Sequence, residues 1–200
     1  RKMSKHLGNV LEPIPLMNRH GADAVRWYML ASGSPWSARR VGHDIIAEVV
    51  RKTLLTYWNS VSFLALYASA SGFQYGESIP VKDRPLLDRW IVSELNQLIN
   101  EVDNAYANFD SQRAGEAIAT FVDDLSNWYV RRSRRRFWDG DSAALSTLHE
   151  ALETVTLLMA PMVPFITEHV WQVMIRKVTP SKGASVHLAD FPTSDETLID

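Results

Sequence analysis

Cysteine is absent from the 200 residues. That excludes a disulfide framework and a cysteine-based zinc site, and it makes an intracellular, cytoplasmic setting the expectation. Long apolar runs are missing too. The longest, around residues 152–166, is interrupted by Glu153, Pro161 and Pro164, so no segment reads as a membrane span, and the opening residues do not read as a leader peptide. The six histidines (His6, His20, His43, His149, His169 and His187) include no pair at metal-ligand spacing, so no metal site is expected. Neither a phosphate-binding G-x-x-x-x-G-K-[ST] loop nor a G-x-S-x-G nucleophile turn is found. The adjacent acids Asp123 and Asp124 point about 100° apart on a helix, which suits ion pairs with arginine better than paired-carboxylate catalysis.

What the chain does have is apolar and aromatic material. Hydrophobic residues make up 46%, with 7 Trp, 7 Phe and 6 Tyr. This is enough for a substantial core and is unlike a disordered chain. The net charge of −2 hides an uneven distribution. Residues 1–52 carry a net +5, residues 53–130 a net −6, residues 131–138 five arginines and no acid, and residues 139–200 a net −6. Two basic concentrations inside an acidic chain can hold a polyanion without making the whole protein basic.

The patterning is helical almost throughout. Lys, Ser, Gly and Asn crowd the opening residues, which read as a loop. Pro13 opens a short helix that Gly21 ends, and a second short helix spans residues 22–31 with Ala22, Val25 and Met29 on its apolar face. Long helices follow over residues 44–70, from Asp83 to about Tyr106, and from Asp110 to Trp138. The stripe Ala114, Ile118, Phe121, Leu125 and Trp128 marks the bundle seam of the third. A fourth starts near Ser142 and meets Pro161 and Pro164, where a kink or a split into two helices is expected. Residues 185–191 alternate weakly and read as extended. The expected fold is all-α: an antiparallel bundle of four to five long helices over residues 44–200, preceded by a loop-helix connecting segment over residues 1–43.

Two stretches carry chemistry. The first is Lys2-Met3-Ser4-Lys5-His6, followed by Leu7-Gly8-Asn9 and, later, Gly21-Ala22-Asp23. Ammonium groups on a loop can stabilise the negative charge of a departing pyrophosphate, and hydroxyls and amides can add hydrogen bonds. This stretch resembles the second signature of class I aminoacyl-tRNA synthetases. The resemblance implies that Lys2 and Lys5 are charge stabilisers in a catalytic loop with Met3, Ser4 and His6. His6 stands where the signature most often has Ser, so that hydroxyl is missing.

The second stretch is Asn127-Trp128-Tyr129-Val130-Arg131-Arg132-Ser133-Arg134-Arg135-Arg136-Phe137-Trp138. Five arginines in six positions repel one another on a bare helix unless acids or phosphates neutralise them. Helical spacing puts Arg131 with Arg135 and Arg132 with Arg136, with Arg132 close below Trp128. Arginines interleaved with aromatics suit phosphates and unpaired bases together. Pairing with acids of neighbouring helices, Asp88 and Glu94 among them, is the plainer reading of any single arginine. Trp58 and Asn59, with Thr56 and Tyr57, form a second candidate surface.

Together with Asp88-Arg89-Trp90-Ile91, Ala160-Pro161-Met162-Val163-Pro164-Phe165 and Ser185-Val186-His187-Leu188, these stretches resemble the isoleucyl branch of the class I synthetases over nearly the whole chain. The resemblance implies a piece of a longer ligase. Its partners would be tRNA(Ile) and the remaining catalytic and editing domains, with ATP and magnesium used by the whole enzyme and no activity in this piece alone. Valyl and leucyl branches share the bundle and the lysine loop and remain alternatives. So does a helical scaffold that binds acidic protein surfaces.

Overall fold

In the computed structural model, residues 3–76 and 79–199 are described. Among them there is no strand. Two short helices come first, α1 (Pro13–His20) and α2 (Ala22–Ala31). Gly21 between them has φ 89°, a conformation that a side chain would strain. Five long helices follow, some with embedded π-type turns. The first, α3, runs as His43–Val49, a π stretch Val50–Leu54 and then Leu55–Ser71. Next come α4 (Leu86–Ala107) and α5, which is Ser111–Asp123 continued by a π stretch Asp124–Val130. A short α6 (Arg134–Trp138) leads to α7 (Ser142–Met159). Last is α8, built from Pro164–Val170, a π stretch Trp171–Ile175 and Arg176–Val178.

Short polar turns set the up-and-down order. Asp110 caps α5 by accepting from the Arg113 amide (3.0 Å), and Asp141 caps α7 by accepting from the Ala144 amide (3.1 Å). Cross-helix bonds give the directions. Tyr129, late in α5, reaches Asp88, early in α4, so these two run antiparallel. The Tyr106 hydroxyl, late in α4, donates to the Leu158 carbonyl, late in α7, so those run parallel. Tyr57 bonds Thr156 across the core (2.6 Å). The most enclosed helix is α7, with Leu145, Leu148, Leu152, Val155 and Leu158 fully buried. It is buried on nearly every side, its polar residues Thr147, His149, Glu153 and Thr156 included.

The connecting segment is not free of the bundle. Arg26 donates to the carbonyls of Met162 (3.0 Å) and Pro161 (2.9 Å), and Asp23 accepts from the Ile166 amide (2.7 Å). Gly115 on α5 allows α2 to come close: a Cβ there would stand 2.2 Å from that of Ala31. His20 and His43 share a ring-nitrogen hydrogen bond of 2.8 Å at the join.

Four expectations need correction. In α2 the buried face is Ala24, Trp27, Tyr28 and Ala31, and Met29 is exposed. α4 starts at Leu86 rather than Asp83, which ends a separate 3-10 turn, because Pro85 is preset for a helix start. Residues 185–191 are extended only in part: Ser185 and Ala189 are, but residues 186–188 are not. The Glu168 carboxylate accepts from both Ser185 Oγ (2.8 Å) and the Val186 amide (3.0 Å), and the chain winds into a 3-10 turn, Val186–Leu188. Burial works to raise the Glu168 carboxyl, but the hydrogen bond from Gln172 and then those from Ser185 and the Val186 amide hold it below its ordinary range. Finally, the α5 seam does not end on Trp128. The wider π turns carry it from Leu125 to the fully buried Tyr129, one position on, and leave Trp128 outside.

Candidate nucleic-acid interface

The arginine stretch lies at one end of the bundle, here called the distal end, and it rests on a buried anchor. Asp88 on α4 is fully buried. It accepts two bonds from the Arg136 guanidinium, at 2.6 and 2.8 Å, and one from the Tyr129 hydroxyl at 3.0 Å. Arg136 Nε donates to Asp141 at 2.8 Å. Its Nε and both terminal nitrogens are thus engaged. The hydrogen bonds donated to Asp88 foremost, then the one to Asp141, push the Arg136 pKa upward, although burial works against them. Arg136 therefore departs from the expectation of a polyanion-facing residue. It pairs with Asp88, one of the acids suggested from sequence, and fixes the turn on which its neighbours stand. It does not share a face with Arg132, because the helix breaks at Ser133 (φ −88°, ψ 5°).

The other four arginines face outward. Arg131, Arg132 and Arg134 are exposed, and among the described residues no carboxylate lies within ion-pair distance of them. Arg135 has only a loose contact with Asp139, at 3.8 Å. The guanidinium of Arg132 lies over the Trp128 indole, 3.7 Å from the ring centroid. Such a pair is worth about 0.5–1 kcal/mol at an exposed site, and its outer face remains a flat cationic platform. Trp128 is 45% exposed and Trp138 78%. Trp138 was not among the sequence candidates. Its place directly after the buried Phe137, on the opposite side of a helix turn, was the available signal.

The remaining candidates lie elsewhere. Asn127 donates to Asp123 at 2.7 Å and lines a groove of about 590 Å³ with Arg51, Lys52, Thr56 and Asp124. Burial, and then the neighbouring Asp123, raise the Asp124 pKa. Trp58 is half-buried against His169, with ring centroids 5.6 Å apart, while Asn59 is exposed.

At the opposite, proximal end the lysine loop is mostly exposed. Lys2 lies outside the described residues. Lys5–Leu7 forms a 3-10 turn closed by Gly8 at φ 61°, and the Ser4 amide donates to the Asn9 side chain at 2.8 Å. Met3, Lys5 and His6 are exposed and Ser4 is half-buried. Met3 and Asn9 line a cleft with Arg40, Val41 and Ile45 at the start of α3. The loop and the arginine turn are thus separated by most of the length of α3, about 35 Å at 1.5 Å per residue. Among the described residues, no three His, Cys, Asp or Glu side chains converge as a metal site, and no helix is long and apolar enough to cross a membrane.

Comparison with known proteins gives this arrangement a class. Residues 88–200 match a family described as the anticodon-binding domain of tRNA ligase, and residues 1–40 match tRNA synthetases class I (I, L, M and V). The chain belongs to the family of tRNA-ligase anticodon-binding domains. Among its relatives are the isoleucine–tRNA ligases of Streptomyces avermitilis and Streptomyces coelicolor, each 65% identical over 100% of the chain. That of Thermobifida fusca is 62% identical, again over 100% of the chain. The chain spans 19% of the length of each of these relatives. Among solved structures, the Agrobacterium radiobacter K84 agnB2 LeuRS, crystallised as a ternary complex with tRNA and LeuAMS, superposes with a TM-score of 0.72. The match covers 100% of this chain and 23% of that one, at 22% identity, and shows the shared fold.

Proposed function

We propose that the chain is the anticodon-binding part of an isoleucine–tRNA ligase, and that the distal arginine surface holds the anticodon stem-loop of tRNA(Ile). The carrying observation is the set of outward arginines around the Arg132–Trp128 stack, built on the buried Arg136–Asp88 pair. Forked guanidiniums bind phosphate oxygens, and a stacked guanidinium offers a plane to an unpaired base. The identity to isoleucine–tRNA ligases supports the isoleucine assignment over the valyl and leucyl ones. The proposal divides the chain into a connecting segment, residues 1–43, and a binding bundle, residues 44–200, acting in the cytoplasm.

The same reading makes residues 2–6 part of an adenylation site in the longer enzyme, where ATP and magnesium would be used. Toward ATP, the described residues here offer an exposed loop with the Lys5 ammonium. That suits stabilising charge on phosphates but makes no cradle for a purine. The chain alone is therefore expected to give no isoleucine-dependent ATP–pyrophosphate exchange.

Titration of the chain with tRNA(Ile), tRNA of another specificity and an acidic polypeptide, at rising salt, tests the main proposal. Weak, salt-sensitive binding preferring tRNA(Ile) is expected. Equal affinity for the acidic polypeptide would instead favour the helical-scaffold reading.

A further inference from the structure

Between α3, α7 and α8 lies a cleft with an unexplained floor. It measures about 200 Å³ and is lined by Ala65 and Ala68 of α3, Phe73 and Tyr75 of the following loop, His149 of α7, and Met174 and Lys177 of α8. His149 is buried, 3% exposed, yet neither ring nitrogen has a hydrogen-bond partner among the described residues. The nearest carboxylate oxygen, on Glu153, is 3.8 Å from Nδ1, and Glu153 is already paired with Lys182. Tyr75 stacks on the imidazole with centroids 4.1 Å apart. Burial first, and the Lys182 charge second, lower the His149 pKa to about 4, so the ring is neutral at physiological pH. A neutral imidazole has one N–H donor and one lone-pair acceptor. Both are unused here, and buried polar groups are rarely left so.

The surroundings narrow what would use them. The walls are apolar and aromatic, which suits a flat ring. Lys177 sets an ammonium at the cleft. Ser71, at the end of α3 just past Ala68, stands 3.1 Å from where a Cβ on Gly140 would lie, so the end of α3 beyond the cleft meets the turn that follows Trp138.

From these observations we infer that the cleft is a pocket for one unpaired base of the RNA whose backbone lies on Arg131, Arg132, Arg134 and Arg135. The base stacks against the aromatic wall and its edge bonds the His149 imidazole, with Lys177 near the attached phosphate. The inference rests on the RNA-binding proposal and adds a site to it.

The test uses the 200-residue chain, two variants and two probes. His149→Phe keeps a ring but removes both nitrogens. Ala65→Trp plugs the cleft from its exposed rim and leaves the core intact, which covers the case in which the first variant folds poorly. Titration with the four nucleoside 5′-monophosphates, followed by the His149 ring NMR signals, should give saturable shifts in the parent and none in A65W. The second probe is an RNA hairpin with a single-stranded loop. Either variant should weaken its binding about tenfold, with the salt dependence unchanged, since no phosphate contact is removed. Absence of nucleotide-induced shifts, or hairpin affinity equal in parent and both variants, overturns the pocket. If Arg131→Ala and Arg132→Ala also leave hairpin affinity untouched, the RNA-binding proposal fails as well, whereas loss in the arginine variants alone refutes only the pocket.

Discussion

The two basic regions of this molecule are built in opposite ways. The lysine loop at the proximal end is a short exposed turn, braced locally by the bond from the Ser4 amide to Asn9. The arginine turn at the distal end rests on a buried acid, a buried tyrosine and a buried phenylalanine. The first leaves the Lys5 ammonium exposed to solvent. The second fixes the Arg136 guanidinium in the core and stacks that of Arg132 on Trp128, and the other three arginines project from the backbone so held. Charge in the sequence marks both, but only one has a rigid base of its own within these residues.

That contrast is open to direct attack. Asp88→Ala should have the largest effect. It leaves Arg136 and Tyr129 without their buried acceptor, and a loss of about 3 kcal/mol is expected in urea unfolding. A loss well under 1 kcal/mol would show that the turn does not depend on this anchor.

The distal end should also respond to pH through His149. Its folded pKa is lowered to about 4. Between that value and the ordinary histidine pKa near 6.5, the unfolded chain binds the extra proton and the folded chain does not. Stability from this group is therefore present above pH 6.5 and lost as pH falls toward 4, by about 3 kcal/mol at most. Unfolding measured across that range should be flatter for His149→Phe.

Gly115→Ala attacks the join between the two regions. Its Cβ would meet Ala31 at 2.2 Å, so a cost of about 1–3 kcal/mol is expected in thermal unfolding, relieved by adding Ala31→Gly. Arg131→Ala with Arg132→Ala should leave unfolding within about 0.5 kcal/mol of the parent. The pair should weaken tRNA binding about tenfold or more and make the salt slope about two units shallower. Lys5→Ala is the smallest case. Exposed and remote from the arginine turn, it should change neither unfolding nor tRNA affinity, and a change in affinity would mean that the two basic regions share one RNA surface.

Much of this was legible beforehand. Apolar spacing predicted four to five long helices, and Pro161 and Pro164 a kink or a split; the structure has five, with α8 starting at Pro164, because a proline at a first helical position begins a new helix. The lysine and arginine stretches announced themselves by composition. The side of Trp128 was not legible. Assigning seams from 3.6-residue spacing fails wherever a π turn intervenes, and here that error moves a tryptophan from core to surface. Nor could spacing say which of five arginines finds an acid. Asp88 lies 48 positions from Arg136, and only the α4–α5 pairing brings them together.

By itself, then, the sequence determined the helical class, the order of elements and the kinds of side chain at each end, since these follow from local propensity and periodicity. The tertiary structure alone decided that Arg136 is an anchor while its neighbours are free, that Trp128 carries Arg132 at the surface, and that His149 is buried with no described residue bonded to its nitrogens. Each of those depends on contacts between helices distant in the chain, where small changes in register decide which side chain meets the core.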